Sequence, residues 1–167
     1  YDLGIGHAPL TNLYESLIFF AWSVMIFYLA VELRIKSKIL GVYVVPIAFL
    51  ILAYASIAPG MNNRIEPLIP ALQSNWLTTH VLTCFMGYAA FTVAFGCGIL
   101  YLLVDIKESN ANKNTSDSTG NSPALKVMDI LIYQSTSLGF IFLAMGIITG
   151  SVWAHYAWGS YWSWDPK

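Results

Sequence analysis

Side chains able to do chemistry are few in this chain, and most lie in two stretches. One is Trp153-Ala154-His155-Tyr156-Ala157-Trp158-Gly159-Ser160-Tyr161-Trp162-Ser163-Trp164-Asp165, where four tryptophans and two tyrosines crowd into the residues from Trp153 to Trp164. The other centres on His80, in Asn75-Trp76-Leu77-Thr78-Thr79-His80-Val81. Indole and phenol rings combine a flat apolar face with a polar edge, so a cluster of them suits a flat apolar ligand. Imidazole is a common metal ligand, haem iron included. On a helix, Trp76 lies one turn before His80 on the same face and would set an aromatic beside that ligand. Helical continuation would put Trp158 and Trp162 on one face with Tyr161 close to it. Trp164 would then lie off that face, unless the chain bends around Gly159.

Each of these residues has a plainer reading. Tryptophans gather at membrane–water boundaries without binding anything. One or two per helix end suffice for such a belt, and spacing alone leaves belt and platform equally open. A lone histidine is more often a hydrogen-bonded interfacial residue than a ligand, yet ionisable groups at membrane depth are uncommon and usually functional. His7, in the turn-like Gly4-Ile5-Gly6-His7-Ala8-Pro9-Leu10, and His155 read first as solvated. Glu15 is placed to help cap the helix that follows or to face a polar cavity. Lys126 and Asp129 read as ordinary boundary charges. Cys84 and Cys97 fit no C-x-x-C pattern and lie about 20 Å apart along a straight helix, too far for a disulfide within it. Small buried apolar residues are the expectation for both.

The elements that must position these residues are membrane spans. Of the 167 residues, 57% are hydrophobic and 10% charged, against roughly 25% charged in soluble domains. A net charge of −1, with the few cations in loops, excludes a polyanion-binding surface. Crossing the hydrocarbon core takes roughly 20 apolar helical residues. Four stretches reach or approach that length, at about 13–33, 39–58, 76–104 and 128–154. Each is a continuous apolar run without alternation, which favours helix over strand. The expected fold is all-α, a polytopic transmembrane helix bundle forming a single membrane domain over 1–167. The polar segment 109–123 predicts a flexible loop without chemistry of its own. Tyr1-Asp2-Leu3 does not resemble the start of a signal peptide, no initiating Met is present, and the chain stops straight after a dense motif. We therefore expect an internal fragment of a longer protein.

Loop charges set the orientation. Arg34, Lys36 and Lys38 follow the first span, and Lys107, Lys113 and Lys126 follow the third, whereas the loop after the second has only Arg64 beside Glu66. Lys and Arg collect on the cytoplasmic side, so 34–38 and 105–127 are expected there. Residues 1–11, 59–75 and 155–167 then share the opposite face, with His80 and the tryptophan cluster.

Trp158-Gly159-Ser160-Tyr161-Trp162-Ser163-Trp164-Asp165-Pro166-Lys167 resembles the tryptophan-rich "WWD" signature of the haem-handling membrane proteins of cytochrome c biogenesis. Three further stretches resemble the System II, CcsA-type branch (also called CcsB or ResC, or the C-terminal part of a fused CcsBA) rather than the System I CcmF type. They are Gly6-His7-Ala8-Pro9-Leu10-Thr11-Asn12-Leu13-Tyr14-Glu15-Ser16, Pro70-Ala71-Leu72-Gln73-Ser74-Asn75-Trp76-Leu77 with His80, and Gly146-Ile147-Ile148-Thr149-Gly150-Ser151-Val152-Trp153-Ala154. The resemblance implies that haem b, as substrate rather than resident cofactor, is presented on the outer face of a bacterial inner membrane or thylakoid membrane. It would be attached there to the CxxCH motif of apocytochrome c by a cytochrome c haem lyase or synthetase complex. By position, His80 matches the external histidine before the signature and so becomes an axial iron ligand. The signature's aromatic residues, with Gly159, Asp165, Trp153 and Trp76 around them, become the porphyrin site. A second external histidine and a transmembrane histidine follow the signature in that family, beyond Lys167. His155 matches no ligand position. Implied partners are a CcsB/ResB-type subunit, separate or fused, a thioredoxin-like thiol reductant and membrane lipid. The thiols of the reaction belong to the apocytochrome, so no catalytic residue is assigned here. A haem exporter, a System I haem-handling protein and a purely structural anchor are the competing readings.

The charge distribution makes the topology testable. Cysteines introduced at Asn62 and Asn114 should label from opposite sides of the membrane with an impermeant reagent. Equal labelling of both from outside would overturn the assignment.

Overall fold

The computed structural model describes residues 12–35, 38–59, 73–111 and 122–164. His7, Lys36, Arg64, Glu66, Lys113, Asp165 and most of the polar loop lie outside the described residues. Four α-helices account for nearly all the rest: α1 (Leu13–Ile35), α2 (Gly41–Ile57), α3 (Asn75–Ala111) and α4 (Pro123–Trp158). Three of them, α1, α3 and α4, are long and apolar enough to cross a membrane. With α2 they form an all-α membrane bundle, and the protein is integral to the membrane.

The helix ends follow local chemistry. Asn12 caps α1, its Oδ1 accepting the Glu15 N–H at 2.8 Å while its carbonyl accepts the Ser16 N–H at 3.1 Å. Asn12 is thus the N-cap of α1, with Glu15 in its first turn. α2 has no side-chain cap at Leu40. Its start is satisfied by tight i to i+3 bonds from the N–H groups of Gly41, Val42 and Tyr43 to the carbonyls of Lys38, Ile39 and Leu40. At 17 residues, α2 rises only about 25 Å, less than the hydrocarbon core, and Pro46 interrupts its ladder near the start. Ser122 caps α4, its hydroxyl accepting the Leu125 N–H at 3.3 Å, with Pro123 in the first turn.

The two long helices outrun their apolar stretches. α3 has 37 residues, about 55 Å, and continues through Asp105–Ala111. α4 begins at Pro123, ahead of the apolar run that starts near Met128. Hydropathy marks where lipid ends, not where a helix must end. Neither Gly nor Pro interrupts 105–111, so hydrogen bonding carries on into water.

α3 and α4 form an antiparallel hairpin with the most extensive helix–helix contact of the fold. His80 meets Gly146 and Gly150, Cys84 meets Gly146, Gly87 meets Gly139 and Leu143, and Phe91 meets Gly139. These α3 residues recur at alternating steps of four and three, the spacing of a seam that stays on one face of a supercoiled pair. A Cβ added to Gly87 would lie 3.1 Å from the Gly139 carbonyl oxygen and 3.2 Å from the Leu143 nitrogen. Those atoms are backbone and cannot swing aside. α1 and α2 pack on α3 through Val24, Tyr28, Leu40, Val44, Ala48, Ala89, Val93 and Cys97. Near the other end of α1, Phe85 stacks on Phe20 (5.8 Å, 27°) and meets Phe19 edge-on (5.6 Å, 61°). Cys84 and Cys97 are both free and buried. Hydroxyls within the spans bond back to the preceding turn, as Ser23 does to the Phe19 carbonyl at 2.8 Å. No buried side-chain N or O among the described residues is left without a partner, as a bilayer requires.

Gly98 offers an internal control, since a Cβ there would meet nothing within 4 Å. Gly87→Val should destabilise the hairpin by about 1–3 kcal/mol, while Gly98→Val should leave it within about 0.5 kcal/mol. Denaturant unfolding in detergent measures both. Equal effects would show that the close approach is not what holds α3 to α4.

Candidate functional site

The hairpin brings the start of α3 beside the end of α4, and His80 lies in that junction. Its Nδ1 is 2.7 Å from the Gly146 carbonyl oxygen. A carbonyl can only accept, so Nδ1 is the donor, and in the neutral ring Nε2 is then the nitrogen with the lone pair. This is the arrangement that orients metal-binding histidines: one ring nitrogen donates to a fixed acceptor, and the other is left basic and aimed. Three neighbours shape the bond. Gly150 gives the ring its place, since a Cβ there would come within 2.5 Å of Nδ1 and 2.8 Å of Cε1. The Cys84 sulfur lies 3.6 Å from Nδ1 as a soft secondary contact. The Thr149 hydroxyl donates within its own turn, to the carbonyls of Met145 (2.9 Å) and Gly146 (3.1 Å).

The tryptophan-rich segment is built differently from a continued helix. α4 stops at Trp158, and Gly159 adopts the left-handed conformation (φ 78°), its N–H closing on the His155 carbonyl at 2.8 Å. Glycine reaches this geometry without a Cβ clash, so it is the residue that allows the reversal. Trp158 and Trp162 are consequently not on one helix face, and the bend at Gly159 is realised. Residues 160–163 turn alongside His80 and border a half-open cavity of about 630 Å³, within the range of small-molecule and cofactor sites. Its walls include His80, Gly150, Trp153, Trp158, Tyr161 and Trp162.

Ring packing stiffens these walls. Trp153 and Trp158 meet edge-to-face at 4.8 Å and 68°, and Trp162 meets Trp164 at 5.8 Å and 79°. Trp164 itself is 90% exposed and does not line the cavity. Trp76 does not line it either; its half-exposed ring in the first turn of α3 suits a membrane–water boundary instead. Gly159 acts as the bend, not as wall. His155 is exposed and stacks on Tyr161 outside the lining. Asp165 lies outside the described residues. No group of three or more His, Cys, Asp or Glu is gathered among the described residues. What the site offers is one oriented imidazole among aromatic rings, chemistry suited to an iron already held by a flat macrocycle.

Sequence reasoning overlooked Gly146 and Gly150 as site residues. The available signal was Gly146-Ile147-Ile148-Thr149-Gly150, a small-xxx-small pattern marking close helix approach inside a span. That one of these glycines lends its carbonyl to a histidine across the interface is not readable from such a pattern.

Residues 10–167 match the cytochrome c assembly protein family. This chain belongs to that family. It is 37% identical to the cytochrome c biogenesis protein CcsA of Trieres chinensis, over 97% of this chain and 60% of that protein. Its identity to the CcsA of Chlamydomonas reinhardtii is 41%, over 97% of this chain and 45% of the relative. With the CcsA of Prochlorococcus marinus (strain MIT 9303) it is 36%, over 97% and 58%. The chain therefore spans roughly half the length of the relatives it matches. Family membership agrees with the resemblance seen in the motifs, and both His80 and the tryptophan-rich segment fall within the matched residues.

Gly150→Ala should push the His80 ring off the Gly146 carbonyl, a loss of about 0.5–1.5 kcal/mol for the bond. Nitrogen-15 NMR of the histidines should show a protonated Nδ1 in the unaltered protein and a mixed tautomer in the variant. A fixed Nδ1–H in both would mean that Gly150 does not set the ring's position.

Proposed function

We propose that this chain is the haem-handling part of a System II cytochrome c synthetase, presenting haem on the outer face of the membrane for attachment to the CxxCH motif of apocytochrome c. The observation that carries the reading is His80, with Nδ1 tied to the Gly146 carbonyl, on the wall of an aromatic cavity. Family membership supplies the setting, since the similar proteins are named for cytochrome c biogenesis.

Haem enters this scheme as substrate. His80 Nε2 provides one axial bond to its iron, and the Gly146 carbonyl makes that nitrogen a stronger donor by drawing on the Nδ1 proton. Trp153, Trp158, Tyr161 and Trp162 offer ring area to the porphyrin and hold its plane. Trp164 supports Trp162 edge-on. Gly150 and Ala154 keep the α4 side of the cavity low enough for a flat ligand to lie against it. In the attachment itself, each cysteine thiol of the apocytochrome adds across a haem vinyl group, forming one C–S bond, with the thiol proton ending on the vinyl carbon. No residue of this chain is consumed. Its part is binding, orientation and control of the iron's ligands.

The test uses the full-length protein in membranes. His80→Ala should lower bound haem and cytochrome c maturation and alter the absorption spectrum, and added imidazole should partly restore all three. Trp162→Ala should lower haem occupancy while keeping the spectrum of the unaltered ligand set. An unchanged haem content and spectrum in His80→Ala would rule out the ligand role. Normal haem in Trp158→Ala, Trp162→Ala and Trp164→Ala alike would reduce the aromatic segment to an interfacial belt.

A further inference from the structure

We propose that His155 is a positioning residue of this pocket and not an iron ligand: its imidazole backs Tyr161 and holds the tryptophan-rich turn against the end of α4. The inference rests on the reading of the cavity as a haem site.

The His155 and Tyr161 rings are stacked, with centroids 4.2 Å apart and planes 4° from parallel. Tyr161 lines the cavity and His155 does not. The imidazole therefore belongs to the supporting layer of the wall. The same residue joins the turn a second time through its backbone, its carbonyl accepting the Gly159 N–H at 2.8 Å. Both links start in the last turn of α4: the backbone link ends at Gly159, and the ring stack reaches beyond it into residues 160–164, a segment that has neither helix nor strand pairing of its own. Such a segment keeps one shape only where side chains hold it. The backbone link fixes the bend at Gly159; the ring stack fixes where Tyr161, and with it Trp162, comes to lie beyond that bend. Tyr156 approaches the same imidazole only edge-on and further off, at 6.0 Å and 61°, so it does not take Tyr161's place.

Two properties follow from a stack that a ligand or a solvated histidine would not share. The interaction depends on a flat ring at position 155, not on a nitrogen atom. It also acts on haem retention without touching the iron, so the ligand spectrum stays the same while occupancy falls.

The experiment compares His155→Leu, His155→Phe and His80→Ala in the full-length protein in membranes, reading the rate of haem transfer to excess apomyoglobin, the absorption spectrum, and helix content by circular dichroism. His155→Leu should release haem about two- to tenfold faster, the effect of losing one ring pair, with its spectrum and helix content unchanged. His155→Phe should restore slow release, because its ring can stack on Tyr161 as the imidazole does. Unchanged release from His155→Leu, with His80→Ala still altering the spectrum, would overturn the positioning role and leave the haem site standing. Fast release from both His155 variants would mean that an imidazole nitrogen is needed, which also overturns it. A His80→Ala protein with normal haem and normal spectrum would instead strike at the haem reading itself.

Discussion

The close approach of α3 and α4 is the constraint on which the rest of this structure depends. In a bilayer, burying apolar area drives little helix association, because lipid tails are as apolar as the side chains. Helices stay together where their surfaces interlock and their polar groups find partners. Gly87, Gly139, Gly146 and Gly150 remove the bulk that would hold the two backbones apart. At one end of the seam the space so created is filled by sulfur and imidazole, and a helix carbonyl comes within hydrogen-bonding reach of a ring nitrogen. Packing and site chemistry therefore have one origin: the gap that lets α4 lie against α3 also sets the tautomer of His80.

From that seam the cavity follows in two steps. Antiparallel pairing places the first turns of α3 at the level of the last turns of α4, so His80 faces Gly150 and Trp153 joins the wall. Gly159 then ends α4 and sends the chain back beside the histidine. Without the reversal, Tyr161 and Trp162 would continue along the helix axis, away from His80. The aromatic residues accordingly fall into groups with different duties. Trp153, Trp158, Tyr161 and Trp162 form the wall, His155 and Trp164 support two of those rings, and Trp76 lies outside the lining. The rest of the bundle serves the same end more remotely: α1 and α2 cover the other side of α3, where Val24, Val44 and Val93 are fully buried.

Much of this was legible beforehand. The apolar runs announced four helices, and the family could be read from Trp158-Gly159-Ser160-Tyr161-Trp162 and the three stretches before it. Other features were not legible, each for a definite cause. The extension of α3 to Ala111 escaped because hydropathy reports the lipid boundary, whereas helix hydrogen bonding continues into water. Helical spacing also suggested a shared face for Trp158 and Trp162, which assumes that Gly159 sits inside a helix; it sits at the end of one. His155 looked like a solvated loop residue because its stacking partner lies across the bend.

By itself, the sequence determined that this is a membrane protein of the cytochrome c assembly family, which ends are polar, and which residue types gather there. Those properties are carried by composition, run length and local motif, and each is a one-dimensional quantity. Only the tertiary structure decided that the His80 ring donates from Nδ1, that Gly150 packs against that ring, and that Tyr161 has an imidazole behind it. Each of these depends on a distance between atoms far apart in the chain, as between His80 and Gly146. Periodicity within one helix does not specify how that helix is rotated and shifted against another; the interlocking of the glycine seam does.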